Sequence, residues 1–227
     1  MEAIFKIDKW TSWVAGNEAT DAPQLPEVPA MQRRRYSLLS KMALRVALDL
    51  LPEQGLIRSV FASRHGELHR TVDLLLNIND SSALSPTKFS QSVYNTASGL
   101  YSIKQNNLAP STVVTSAKDT LAMAFVEAYS QSLVHQQTVL LVYVDQPLPE
   151  LYQPYADEPE ETLAFACLLT AAEQGWATRF EAKQQTSLPA THVASQLISA
   201  LSEPCEQFTC DLGEQNWLWR VANESKA

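Results

Sequence analysis

The spacing of apolar positions changes several times along the chain, and each change predicts an element. Ile4 to Val14 alternate loosely and carry Trp10 and Trp13, which predicts a strand running into an irregular turn. Gly16 to Met31 hold Pro23, Pro26 and Pro29, a loop signature. From Arg33-Arg34-Arg35 the period becomes helical. Leu39, Met42, Val46 and Leu50 share one face, and Pro52 and Gly55 end the helix. Ile57 to Ala62 is a short apolar run, a buried strand. Glu67 to Asn77 is helical, with Leu68, Val72, Leu75 and Leu76 on one face.

Ser85-Pro86-Thr87 places a capping Ser before Pro at the first helical position. Phe89, Val93, Ala97, Leu100 and Lys104 then form one stripe, so a single helix is predicted until Asn106, Asn107 and Pro110 break it. Thr112 to Thr115 is a short β-branched strand. Ser116-Ala117-Lys118-Asp119 reads as a capping box in front of a helix from Ala117 to Val134. Small residues on several faces of that helix (Ala122, Ala124, Ala128) predict a central, buried position. Thr138 to Val144 is continuously apolar, as in a strand covered on both faces.

Between residues 57 and 145 the order is strand, helix, helix, strand, helix, strand. That order predicts an α/β fold with a mostly parallel sheet, a buried central helix and covering helices. After Asp145 the texture changes to an acidic, Pro-rich loop with Pro147, Pro149, Pro154, Asp157, Glu158, Pro159, Glu160 and Glu161. Thr162 to Ala172 fits a strand or a helix. A strand is preferred, because Trp176 to Ala182 follows Gly175 as in a hairpin. His192 to Leu201 is a helix and Trp217 to Val221 a closing strand. The expected organisation is a main domain over residues 1–155 and a C-terminal extension, 156–227, packed on it.

Composition narrows the function classes. The chain has 227 residues, 45% of them apolar and 19% charged, which is a globular mixture. With 17 Lys and Arg against 25 Asp and Glu, the net charge is −8, and no basic stripe points to nucleic acid. No apolar run approaches the roughly 20 residues that span a bilayer. The first residues lack a secretory pattern, so a cytoplasmic location is expected. Three cysteines without a Cys-x-x-Cys pair argue against a disulfide scaffold or a structural zinc site.

The chemistry-bearing residues form no catalytic set. His65 and His69 are four apart, but Gly66 stands where a zinc protease motif needs Glu. No metal site and no cofactor are expected. Ser98 lacks the glycines of a nucleophile elbow and reads as a packing residue in a helix. Cys167 lies in an apolar run and reads as a buried thiol, while Cys205 and Cys210 carry no partner pattern. Glycines are few and scattered, so no phosphate loop is present. Arg33, Arg34 and Arg35 oppose the dipole at a helix start; they are either a solvated face or a contact for an acidic partner.

A resemblance adds to this. Ser63-Arg64-His65-Gly66-Glu67 with Arg70, then Leu84-Ser85-Pro86-Thr87-Lys88-Phe89-Ser90-Gln91-Ser92-Val93-Tyr94-Asn95, then Ala97 to Ile103, Thr112 to Thr115 and Leu140 to Leu148, resemble the N-terminal half of a β-ketoacyl synthase. More narrowly, they resemble the short ketosynthase-like chain length factors of bacterial aryl polyene and related type II clusters. The resemblance implies a thiolase fold. It also implies that the strand to Thr115 runs into the helix where active ketosynthases hold a nucleophilic Cys. Ala117 occupies that position, with Ser116 beside it. The two histidines of active ketosynthases belong to the second half of the fold, and no His follows His192.

The implied role is that of a non-catalytic chain length factor. It would pair with an active β-ketoacyl synthase through Ser111, Thr112, Val113, Val114 and Thr115, with an acyl carrier protein as third component. Tyr94, Ser98 and Tyr101 are the candidate tunnel-lining residues, and Arg33, Arg34 and Arg35 the candidate carrier contacts. Two other readings stay open. One is a decarboxylase or hydrolase using Ser116 or Ser98 with His65 or His69 as base. The other is a scaffold with no tunnel role.

Overall fold

The structure is a computed structural model and describes residues 2–16, 22–51, 55–183 and 188–222. In chain order its elements are β1 (Ala3–Val14), α1 (Ala30–Arg33), α2 (Leu38–Leu50), β2 (Arg58–Ala62), α3 (Leu68–Asn79), α4 (Pro86–Ser90), α5 (Thr96–Gln105) and β3 (Ser111–Val114). A 3-10 turn at Ala117–Asp119 leads into α6 (Thr120–His135). Then come β4 (Val139–Asp145), β5 (Leu163–Ala171), β6 (Gly175–Ala182), α7 (Val193–Ser202), β7 (Gln207–Asp211) and β8 (Gln215–Ala222). Pro52, expected to help end α2, lies outside the described residues.

All eight strands form one sheet in the order β3-β2-β4-β5-β1-β6-β8-β7. β2 runs parallel to both β3 and β4, and the remaining pairs are antiparallel. β4 explains the layering. Its seven residues are all buried. Val139, Leu141 and Tyr143 point into the layer that holds α6 and α7, while Leu140, Val142 and Val144 point into the layer that holds α2 and α5. A strand covered on both faces reads as an unbroken apolar run for this reason. On β5, Ala164 and Ala166 face α2, and their small side chains let that helix lie close to the sheet.

Several expectations are corrected. β5 and β6 do not form a hairpin, because β1 lies between them. β1 is twelve residues long and pairs with β6 through Ala3–Phe5 and with β5 through Phe5–Val14. Gly175 is therefore a close-approach residue rather than a hairpin turn. It sits at φ +133°, and a Cβ there would fall 2.4 Å from the Phe5 carbonyl oxygen. The closing strand is present as β8, and β7, unforeseen in the sequence, pairs with it and forms the sheet edge.

The helix predicted from Ser85 to Lys104 divides into α4 and α5. The Ser90 and Ser92 hydroxyls donate back to Thr87 O and Phe89 O, which offers the backbone a local alternative to the helix. On α3, Val72 and Leu74 are buried while Leu75 and Leu76 are exposed, so the inward face is not the expected one. Arg33, Arg34 and Arg35 do not open α2. They span the end of α1 and the following turn, and Ser37 caps α2 by accepting the Ser40 amide at 2.9 Å. That arrangement keeps three cations out of the first turn of the longer helix, where the dipole disfavours them.

Candidate functional site

The elbow between β3 and α6 is the place to look for a nucleophile. Ala117 sits there at φ +46°, a conformation that costs an L side chain roughly 1–2 kcal/mol. The predicted capping box is not made: the Ser116 side chain forms no cap bond. With Ala117 left-handed, the chain reverses before the helix begins, and Thr120 takes over. Its hydroxyl accepts the Ser116 amide at 2.9 Å and donates to Ala117 O at 2.7 Å. Asp119 instead accepts from Gln215 on β8 at 3.4 Å. The elbow thus keeps a strained backbone and presents an exposed methyl group.

The thiols lie elsewhere. Cys167 is buried in β5, and burial pushes its pKa up. Burial pushes Cys210 up to about 12. The Cys205 thiol donates to Ala200 O. The serine and histidine candidates are also engaged. Ser98 is buried and donates to Asn95 O at 3.0 Å, and His69 Nε2 lies 2.8 Å from Pro147 O. Burial, the largest influence, lowers the pKa of His65.

The block from Ser63 to Arg70 is a structural junction. Ser63 Oγ accepts the Gly66 amide at 2.8 Å. Gly66 lies at φ +56° beneath the Tyr94 ring, where an added Cβ would come within 3.0 Å of the ring. Glu67 is buried and accepts from both Ser37 and Ser40 hydroxyls at 2.7 Å, tying α3 to the start of α2. The Arg64 carbonyl accepts from Tyr94 Oη at 2.9 Å and from Thr115 Oγ1 at 3.1 Å. Its guanidinium pairs with Asp157 at 2.6 Å and with Glu158. Lys118, beside the elbow, reaches Asp157 at 3.4 Å.

The acidic loop is therefore a strap across the elbow, held there by Arg64 and Lys118. Glu161 fastens its far end by accepting from the His192 amide and the Ser195 hydroxyl at the start of α7. Under the strap, Tyr143 donates to Asp145 at 3.1 Å and lies 3.4 Å from His192 Nε2. Burial raises the Tyr143 phenol well above its ordinary value. The space among these groups is about 10 Å³, so no substrate fits there.

Burial also raises the Glu158 carboxyl, its largest influence, and the Arg64 charge opposes that. Arg64→Ala leaves Glu158 without its cation and is expected to cost roughly 3 kcal/mol at neutral pH. An acid whose folded pKa is raised is favoured in the fold at low pH and loses that support as pH rises through the folded pKa. The gap between variant and parent should therefore narrow on going from pH 7 towards the ordinary carboxylate pKa. Urea unfolding at both pH values checks this.

Of the three tunnel candidates, Tyr94 is partly exposed, while Ser98 and Tyr101 are buried. Tyr94 precedes α5 rather than sharing a flank with the other two. Tyr101 packs on Phe61 inside the layer with α2, and burial raises its phenol to about 12. Ser111–Val114 form an edge of the sheet, bonded to β2 alone. Exposed apolar side chains stand near this edge in the chain: Ile103 and Leu108 before it, Val126 and Leu133 on α6 after it. Arg33 is tied to Leu25 O at 2.7 Å, whereas Arg34 and Arg35 line a groove of about 610 Å³.

Residues 9–220 match the family model described as β-ketoacyl synthase, N-terminal domain. The chain belongs to that family. Among solved structures, this β-ketoacyl synthase N-terminal domain is similar to a chain of the complex of the ketosynthase ApeO with its chain length factor ApeC from Xenorhabdus doucetiae. The TM-score is 0.83 at 24% identity, over 96% of this chain and 99% of that one. A β-ketoacyl synthase from Burkholderia phymatum STM815 matches at TM-score 0.53 and 12% identity, over 79% of this chain and 56% of that one. No curated protein matches the sequence. The family's fold is the thiolase-like one, and the mixed α/β sheet with its covering helices agrees with it. No helix among the described residues is long and apolar enough to cross a membrane.

Proposed function

We propose that this chain is a non-catalytic chain length factor that forms a heterodimer with an active β-ketoacyl synthase. The observation that carries the reading is the elbow. Its backbone holds the left-handed turn, yet the residue there is Ala117, which has no nucleophile to offer. Strain of this kind persists where the surrounding fold sustains it. A left-handed elbow that carries no nucleophile suits a subunit whose partner does the chemistry. The ApeO–ApeC pair is a precedent for a ketosynthase working with a chain length factor.

In this reading the partner supplies the Cys and the histidines, and condenses a carrier-bound acyl chain with a malonyl unit. Ser111 to Thr115 form the junction between subunits. Tyr94 is the tunnel residue best placed to meet the partner, because its ring is partly exposed and its hydroxyl shares the Arg64 carbonyl with Thr115. Tyr101 holds α5 against this chain's own core, and Ser98, buried on the same helix, backs the wall with it. Arg34 and Arg35 are the carrier contacts, with Arg33 supporting them from its bond to Leu25.

Co-expression with candidate ketosynthases tests the proposal. One of them should co-purify in equal amount and gain condensing activity on a malonyl carrier substrate that neither subunit handles alone. Turnover by the isolated chain that Ser116→Ala abolishes would replace this reading with a serine-dependent enzyme.

A further inference from the structure

β2, β3 and β4 run parallel, and the elbow follows the C-terminal end of β3. At the other end of these strands is a cavity of about 430 Å³, lined by Ile57 and Arg58, where β2 begins, and by Thr138, just before β4. That volume falls within the roughly 300–1,000 Å³ of small-molecule sites. Half-buried Leu51 and Ile57, with Leu56 at 74% exposure, give it apolar walls.

Two polar groups of this cavity lack partners. Tyr101 lines it and is 2% exposed, yet among the described residues its hydroxyl makes no hydrogen bond. A buried tyrosine hydroxyl usually finds one. The unpartnered side-chain atoms sealed from solvent are Arg45 Nε, Gln131 Oε1 and Trp219 Nε1, and the Tyr101 oxygen is not among them. That oxygen therefore opens into the cavity that its residue lines. Burial raises this phenol to about 12, so it stays protonated and can donate to an acceptor. Arg58 is half-buried and has neither an ion pair nor a side-chain hydrogen bond among the described residues. No described Asp or Glu lines the cavity, so this cation has no counter-charge there, on a chain of net charge −8.

We infer that this cavity binds a small apolar monocarboxylate, with its tail on Leu51, Leu56 and Ile57 and its carboxylate between the Arg58 guanidinium and the Tyr101 hydroxyl. A hydrogen bond from a guanidinium to a carboxylate is about twice as strong as a neutral one, and the phenol adds a second donor. A neutral ligand would leave the cation unpaired. A wholly hydrophilic anion would leave the apolar walls wet. The site stands at the far end of the strands from the elbow, and neither it nor the heterodimer reading depends on the other.

The test is a ligand-observed NMR titration of the full chain with octanoate, and with octanol as its uncharged counterpart. Octanoate should bind at least about tenfold more tightly than octanol. Arg58→Gln should bring octanoate down to the level of octanol and leave octanol unchanged. Tyr101→Phe keeps the ring that packs on Phe61 and should weaken octanoate about threefold to tenfold. Leu56→Ser should weaken both ligands severalfold, whereas Leu75→Ser, an exposed leucine on α3, should weaken neither. No binding by the parent at millimolar octanoate overturns the inference, and so does octanol bound as tightly as octanoate. Arg58→Gln and Tyr101→Phe variants that both bind octanoate like the parent overturn it as well, because the carboxylate would then be held elsewhere.

Discussion

Phe125→Ala is expected to lower the unfolding free energy by about 3–5 kcal/mol, a large part of what a single domain has. Phe125 is 2% exposed and lies on the buried face of α6, the helix that packs on β2, β4 and β5. Its ring centroid stands 5.1 Å from Trp217 and 5.2 Å from Trp219, both edge-on, and 5.7 Å from Phe5. These partners come from β1 and β8, which join the sheet far apart in sequence. Truncation to Ala opens a cavity among rigid rings that have no free rotamer with which to fill it. Phe125→Leu should cost less, because it keeps most of the volume. Urea unfolding followed by tryptophan fluorescence measures both, with Trp217 and Trp219 as reporters beside the lesion. A loss under about 1 kcal/mol for the Ala variant would mean that α6 does not hold the two ends of the chain together.

That core shows where sequence reading works and where it stops. The unbroken run Val139 to Val144 announced a strand covered on both faces, and the Ala-rich helix announced a central position; both follow from one-residue periodicity. The pairing of β1 between β5 and β6 is different in kind. It depends on contacts between residues at opposite ends of the chain, such as Phe5 with Ala171 and with Trp176, and Gly175 looks the same in sequence whether it turns a hairpin or makes room for the Phe5 carbonyl. β7 escaped notice because it is five residues long and polar on its outer face, as edge strands often are. At the site, the resemblance pointed to Ala117, and the left-handed turn found there rules out the capping box, since a capping box presumes an extended entry into the helix. The strap was legible only as charge. What its acids hold, Arg64, Lys118 and the α7 terminus, is set by tertiary structure.

The second large effect is expected at β3. Ser59 pairs with Ser111 in parallel register, and the Ser59 amide donates to Pro110 O at 3.2 Å. In a parallel ladder the next bond runs from the Thr112 amide back to Ser59, and the pattern repeats at Val114. Ser111 and Val113 therefore turn both backbone groups away from β2, to the free edge. Val113→Pro deletes one outward donor and leaves the β2 ladder whole, so the isolated chain should still fold; proline is tolerated on edge strands for this reason. A partner strand added at the proposed junction would lie about 4.8 Å from β3, and the ring would occupy that gap. The heterodimer should weaken at least about 100-fold, enough to lose the ketosynthase on co-purification. Thr112→Val is the contrasting variant. Its hydroxyl accepts from Gln131 at 2.8 Å within this chain, so its loss should cost some stability and little pairing. If Val113→Pro keeps the ketosynthase while its own melting is unchanged, the subunits meet elsewhere, and the free edge of β3 is only an edge.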